Sequence, residues 1–175
     1  PDVVTWVERD NQPNALLWGS FIFGGAAIRK SALDRIGWFR TDVLHQTEWE
    51  GFVRLILSGS RAALVDEPLV IYHHDSGQQL SDNKVSTIRS RLQVIADEEG
   101  RHGPEIDAAI RQSTSAQLRR LPVLEGVAAL QKRNRLECAR LAVTPGITPG
   151  LRVRLVAATV VPGLGGRRMT KQQAN

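Results

Sequence analysis

His45-Gln46-Thr47-Glu48-Trp49-Glu50-Gly51-Phe52-Val53-Arg54-Leu55 is the stretch whose reading decides the fold. Thr47 followed three residues later by Glu50 is the Thr-x-x-Glu pattern of a capping box, so a helix is predicted to begin there. Trp49, Phe52, Val53 and Ile56 recur at i, i+3, i+4 and i+7 and give that helix one apolar face. Glu48 lies in the first turn, off that face, where unpaired backbone N–H groups favour its ionised form. Such a carboxylate is either a helix-stabilising charge or a positioned general base, and spacing alone favours the first. Arg54 does not share the face of Glu48. It stands in i, i+4 relation to Glu50, which makes it structural first and a phosphate or acceptor contact second. Trp49 reads as core before it reads as a platform for a sugar ring.

Upstream, Ser20-Phe21-Ile22-Phe23 is aromatic and β-branched, stops at Gly24-Gly25 and resumes at Ala26-Ala27-Ile28. A strand that admits two glycines bends, or lets something approach its backbone closely. Ser31 is expected to cap a short helix over residues 31–36, ended by Gly37. Downstream, residues 61–65 and 68–73 are strand-like around an Asp66-Glu67-Pro68 turn. His73 and His74 would point to opposite faces of such a strand, so at most one enters a given pocket. With Asp75 they are metal-ligand types, but no further ligands are evident nearby.

After Ser81 the pattern turns helical. Val85, Ile88, Leu92 and Ile95 predict one helix up to Glu98-Glu99-Gly100. Ile106, Ile110 and Leu118 predict a second, and Val123, Val127, Leu130 and Leu141 a third. Thr144-Pro145-Gly146 and Thr148-Pro149-Gly150 are a near-duplicate turn pair of linker type, followed by an apolar stretch carrying Arg152 and Arg154. The fold class expected is α/β (an α+β fragment): a partial sheet with short helices over 1–81, a helical extension over 82–143, and a linker with a basic amphipathic tail over 144–175.

At 175 residues, 42% hydrophobic and 23% charged, the chain has the composition of a globular protein with a real core. It opens on Pro1 rather than Met, which fits a piece of something longer. One cysteine, Cys138, excludes an internal disulfide and suits a reducing compartment. No apolar run approaches the roughly 18–20 residues of a membrane span. Six of the 23 Lys and Arg fall from Cys138 onward, where no Asp or Glu occurs, and the remainder of the chain is close to neutral. A basic body would suggest nucleic acid; a basic tail on a neutral body suggests an anionic surface, such as the inner face of a membrane, or a solvated end. Nucleic acid is not expected as a partner.

Three motifs, in order, resemble the second half of the catalytic domain of family 2 glycosyltransferases, which have the GT-A fold. The first is Gly24-Gly25-Ala26-Ala27-Ile28-Arg29-Lys30-Ser31-Ala32-Leu33-Asp34-Arg35-Ile36-Gly37-Trp38-Phe39. The second is Thr47-Glu48-Trp49-Glu50-Gly51-Phe52-Val53-Arg54, similar to the family's Glu-Asp-Trp-x-x-x-x-Arg helix. The third is Tyr72-His73-His74 with Ser81 beyond it. The resemblance covers residues 15–81. It departs from the family in having Glu48 at the catalytic Asp position, Thr47 before it, and Arg40-Thr41-Asp42 after Phe39. No Asp-x-Asp occurs in the 175 residues, and no βαβ unit precedes Gly24.

The resemblance implies an inverting, cytoplasmic glycosyltransferase that moves sugar from a nucleotide-sugar donor to a glycan or lipid-linked acceptor. Glu48 would be the catalytic base; Gly24, Gly25, Trp49, Arg54 and His73 would contact substrate; His74 would touch a divalent metal. That ion, Mn²⁺ or Mg²⁺, would be bound mostly by a donor-binding half absent from these residues. The competing expectation is a non-catalytic truncated domain acting as a binding or assembly module.

Overall fold

The computed structural model describes residues 6–22, 25–43, 45–71 and 83–160. Among them every regular element is helical. A 3₁₀ turn, Arg9–Asn11, leads into α1 (Gln12–Trp18), α2 (Lys30–Ile36), α3 (Thr47–Leu57), α4 (Lys84–Glu98), α5 (Pro104–Gln131), α6 (Arg135–Ala142) and α7 (Pro149–Val160). The chain forms two compact units, Pro1–Ser115 and Ala116–Asn175.

The expected α/β sheet is therefore corrected: no strand occurs among the described residues. The strand-like segments have the right side chains but, among the described residues, no second segment completes a ladder, and β character is realised only in pairing and packing. Leu64, Val65, Leu69, Val70 and Ile71 are left exposed along a segment without regular structure. One residue of this segment is paired in another way. The buried Gln12 amide accepts from the Ala62 N–H at 3.0 Å and donates to the Ala62 carbonyl at 3.0 Å and to the Val7 carbonyl at 3.2 Å. It meets both backbone groups of Ala62, as a neighbouring strand would.

The core of the first unit gathers Leu16 and Leu17 of α1, Leu33 of α2, the apolar face of α3, Val94 and Ile95 of α4, and Ile110 of α5. Trp49, Phe52, Val53 and Ile56 are all buried. The capping box is not formed. Gln46, in the left-handed region at φ 71°, precedes the helix without a side-chain cap, and the Thr47 hydroxyl donates to the Val43 carbonyl at 2.6 Å. Glu50 is fully buried and turns to Arg54, so it does not reach back. Ser31 likewise does not cap α2, which Arg29 precedes, whereas Gly37 ends it at φ 74°.

The predicted second and third helices differ from those observed. α5 runs unbroken through Pro122, which removes a single i→i−4 bond, that to the Leu118 carbonyl. Leu141 belongs instead to α6, which Asn134 caps by accepting from the Glu137 N–H at 3.1 Å. In the second unit Ala129 and Leu130 pack with Cys138, Leu141 and Ala142 of α6 and Leu151 and Leu155 of α7. The doubled turn joins α6 to α7: Gly146 turns at φ 84°, and Pro149 opens α7, where its missing N–H leaves nothing unpaired.

A Cβ at Gly51 would overlap the Phe39 ring, so Gly51→Ala is expected to cost about 1–3 kcal/mol in urea unfolding. Gly19→Ala, with open space around it, should change stability by less than about 0.5 kcal/mol. Burial, and then the Glu137 charge, push the Cys138 thiol upward. Its alkylation by iodoacetamide should therefore be slow in the native protein and accelerate sharply on unfolding, read by mass spectrometry.

Candidate functional site

The helix that carries the expected catalytic residue is fixed by a corner between α2 and α3. Arg54 holds Glu50 through Nε, and through Nη2 at 3.0 Å. The same guanidinium donates to the carbonyl of Ile36, the last residue of α2, and to that of Trp38 at 2.6 Å. A helix leaves its last carbonyls without partners, and here one arginine supplies the donor. Trp38 is itself left-handed, at φ 65°, a conformation that costs a side-chain-bearing residue energy unless its surroundings hold it. Its indole N–H donates to Asp34 at 3.1 Å, and its own backbone N–H donates to the Leu33 carbonyl at 3.0 Å.

The first turn of α3 is arranged differently. Glu48 is exposed and enters no ion pair among the described residues. Trp49 beside it is buried, and its indole N–H donates to the Leu16 carbonyl at 2.9 Å. The Arg91 guanidinium lies 5.0 Å from the Trp49 ring centroid and donates to the Gln46 amide at 3.0 Å. That ring face is occupied by a cation rather than open to a sugar. Arg40 binds Asp42 at 2.6 Å and also Asp97, tying the loop before α3 to α4. The hydrogen bond from Arg40 holds the Asp42 carboxyl below its usual range. His45, which leads into the helix, has a buried Nδ1 without a hydrogen-bond partner among the described residues.

Of the other residues expected at the site, Gly25 is exposed in a turn. Gly24, His73 and His74 lie outside the described residues. No group of three or more His, Cys, Asp or Glu suited to a metal ion occurs among the described residues.

A cavity of about 460 Å³ opens elsewhere in the first unit, lined by Trp6, Glu8, Arg9, Asp10, Ala62 and Leu64 among others. Trp6 is set edge-to-face on Phe21, with ring centroids 5.8 Å apart. The cleft combines an indole with two carboxylates, Glu8 and Asp10, and the guanidinium of Arg9. None of Gly25, Glu48, Trp49 or Arg54 lines it. Sequence reading passed over it because its two walls are about 50 residues apart, and the closing contact is the Gln12–Ala62 clamp. A lone glutamine gives no sequence signal of such a role. Comparison with protein-family models, with curated proteins and with solved structures finds no match to the chain.

Arg54→Ala strips a fully buried carboxylate of its counter-charge and is expected to cost about 3–5 kcal/mol in chemical denaturation. Glu48→Gln should stay within about 0.5 kcal/mol of wild type. Because Asp42 is depressed in the folded state, its contribution is present above the ordinary carboxylate range and fades as pH falls through the lowered value. Asp42→Asn should flatten that part of the acid limb of a stability-versus-pH curve.

Proposed function

We propose that the chain is the acceptor-side, base-bearing portion of an inverting glycosyltransferase, using a nucleotide-sugar donor and a glycan or lipid-linked acceptor. The observation that supports this is the division of labour on α3. Glu50, Trp49 and Arg54 are engaged in holding the helix, while the Glu48 carboxylate stands exposed in its first turn. There it is available to an acceptor hydroxyl. As the hydroxyl oxygen attacks the anomeric carbon and the bond to the diphosphate breaks, the carboxylate takes the hydroxyl proton.

A second reading, a non-catalytic binding module, is favoured by the cavity beside Trp6, which has an aromatic wall and charged groups and which neither Glu48 nor Arg54 lines. Incubating the intact protein with nucleotide-sugars and Mn²⁺, and following nucleoside diphosphate release, separates the two. The transferase reading expects release in the presence of acceptor and a fall of about 10²–10⁴-fold for Glu48→Gln. Unchanged turnover in that variant would remove Glu48 from the chemistry. Saturable glycan binding without release, abolished by Trp6→Ala, would establish the module.

A further inference from the structure

The second unit carries an unusual surface. Residues 116–175 contain 11 Lys and Arg against two acidic residues, whereas residues 1–115 contain 12 against 16. Both acidic residues of the second unit, Glu125 and Glu137, lie beside Arg140, at 3.7 and 2.6 Å. The imbalance therefore includes the folded helices as well as the end of the chain.

On α7, Leu151 and Leu155 are buried, and at 100° per residue Val153, Val156 and Val160 fall on the opposite side. Those valines are 69, 49 and 71% exposed. Arg152 and Arg154 flank the valine stripe, one on each side. α6 repeats the arrangement. Cys138, Leu141 and Ala142 face the core, while Leu136 and Val143, 86 and 79% exposed, lie on the far side between Arg135 and Arg140. Arg135 donates to the carbonyls of Thr159 and Val160 at 2.9 and 3.4 Å, and Arg152 to that of Thr144 at 3.3 Å. These contacts set the two helices antiparallel, with Leu136 near the end of the valine stripe and Val143 near its start.

We propose that the α6–α7 hairpin docks on an anionic lipid surface, with these five aliphatic side chains entering the interface, Arg154 reaching the headgroups and the carbonyl-bound Arg135 and Arg152 adding their positive charge at its border. The inference is independent of any role for Glu48. Two features select a bilayer over a second copy of the chain. An apolar stripe bordered by arginines suits a plane that is apolar within and negative at its surface. A second copy would instead bring arginine rows against arginine rows. No helix among the described residues is long and apolar enough to cross a membrane.

The test is co-sedimentation of the full chain with phosphatidylcholine vesicles, with and without phosphatidylglycerol. Partition into the anionic vesicles should exceed that into neutral ones by about tenfold or more and fall with added salt. The combined variant Val153→Asn, Val156→Asn, Val160→Asn, its fold checked by circular dichroism, should lose about tenfold in partition. Substituting Arg167, Arg168 and Lys171 by Gln should cost less. Wild-type binding by the valine variant would overturn the proposal, as would equal binding to neutral vesicles. So would lipid-free dimers that the valine variant dissolves, with no vesicle binding by wild type.

Discussion

The buried pair of Glu50 and Arg54 is the constraint around which the first unit is arranged. A fully buried carboxylate is tolerable only with a counter-charge and hydrogen bonds, and Arg54 supplies both within one turn of the same helix. The guanidinium has donors left over, and it gives them to the carbonyls of Ile36 and Trp38. One side chain thus neutralises Glu50, closes the end of α2 and holds a tryptophan in a left-handed conformation. Phe39 follows at once, its ring against Gly51, where any larger residue would collide with it. The direction of α3, and so the position of its first turn, follows from this corner.

The first turn is the part of α3 that the corner leaves unused. Trp49 anchors it from within through the Leu16 carbonyl, and Arg91 covers the tryptophan from outside. Glu48 remains exposed in that turn, the placement of an ordinary helix-stabilising charge. In the second unit the distribution is different. Its helices bury one side of each stripe and leave aliphatic side chains and arginines outward, so its chemistry is that of a surface rather than of a cleft.

Much of this was legible in particular residues. The i, i+4 spacing of Glu50 and Arg54 pointed to their pairing, the apolar recurrence from Trp49 to Ile56 to a buried face, Gly37 to a left-handed stop and Gly100 to the end of a helix. The capping box at Thr47 was misleading because capping competes with burial: Glu50 gains more from Arg54 in the core than from a backbone N–H at the helix start. The apolar spacing predicted separate helices through Leu118 and from Val123, whereas α5 is continuous across Pro122: a proline removes only one hydrogen bond, and the helix packing on either side carries α5 across it. The cleft beside Trp6 and the role of Gln12 had no local signature at all.

What the sequence determined by itself was periodic and local: which faces of the helices are apolar, where glycines end them, and that the basic residues crowd toward the end of the chain. These follow from side-chain spacing and backbone sterics, which act within a few residues. Only the tertiary structure decided that the β-branched segments 20–22 and 61–71 have no strand to pair with among the described residues, and that an amide from α1 meets Ala62 instead. It also decided that the valines of α7 face outward while the leucines face in. The physical reason is that strand pairing and burial depend on partners distant in sequence, and a chain read residue by residue does not name them.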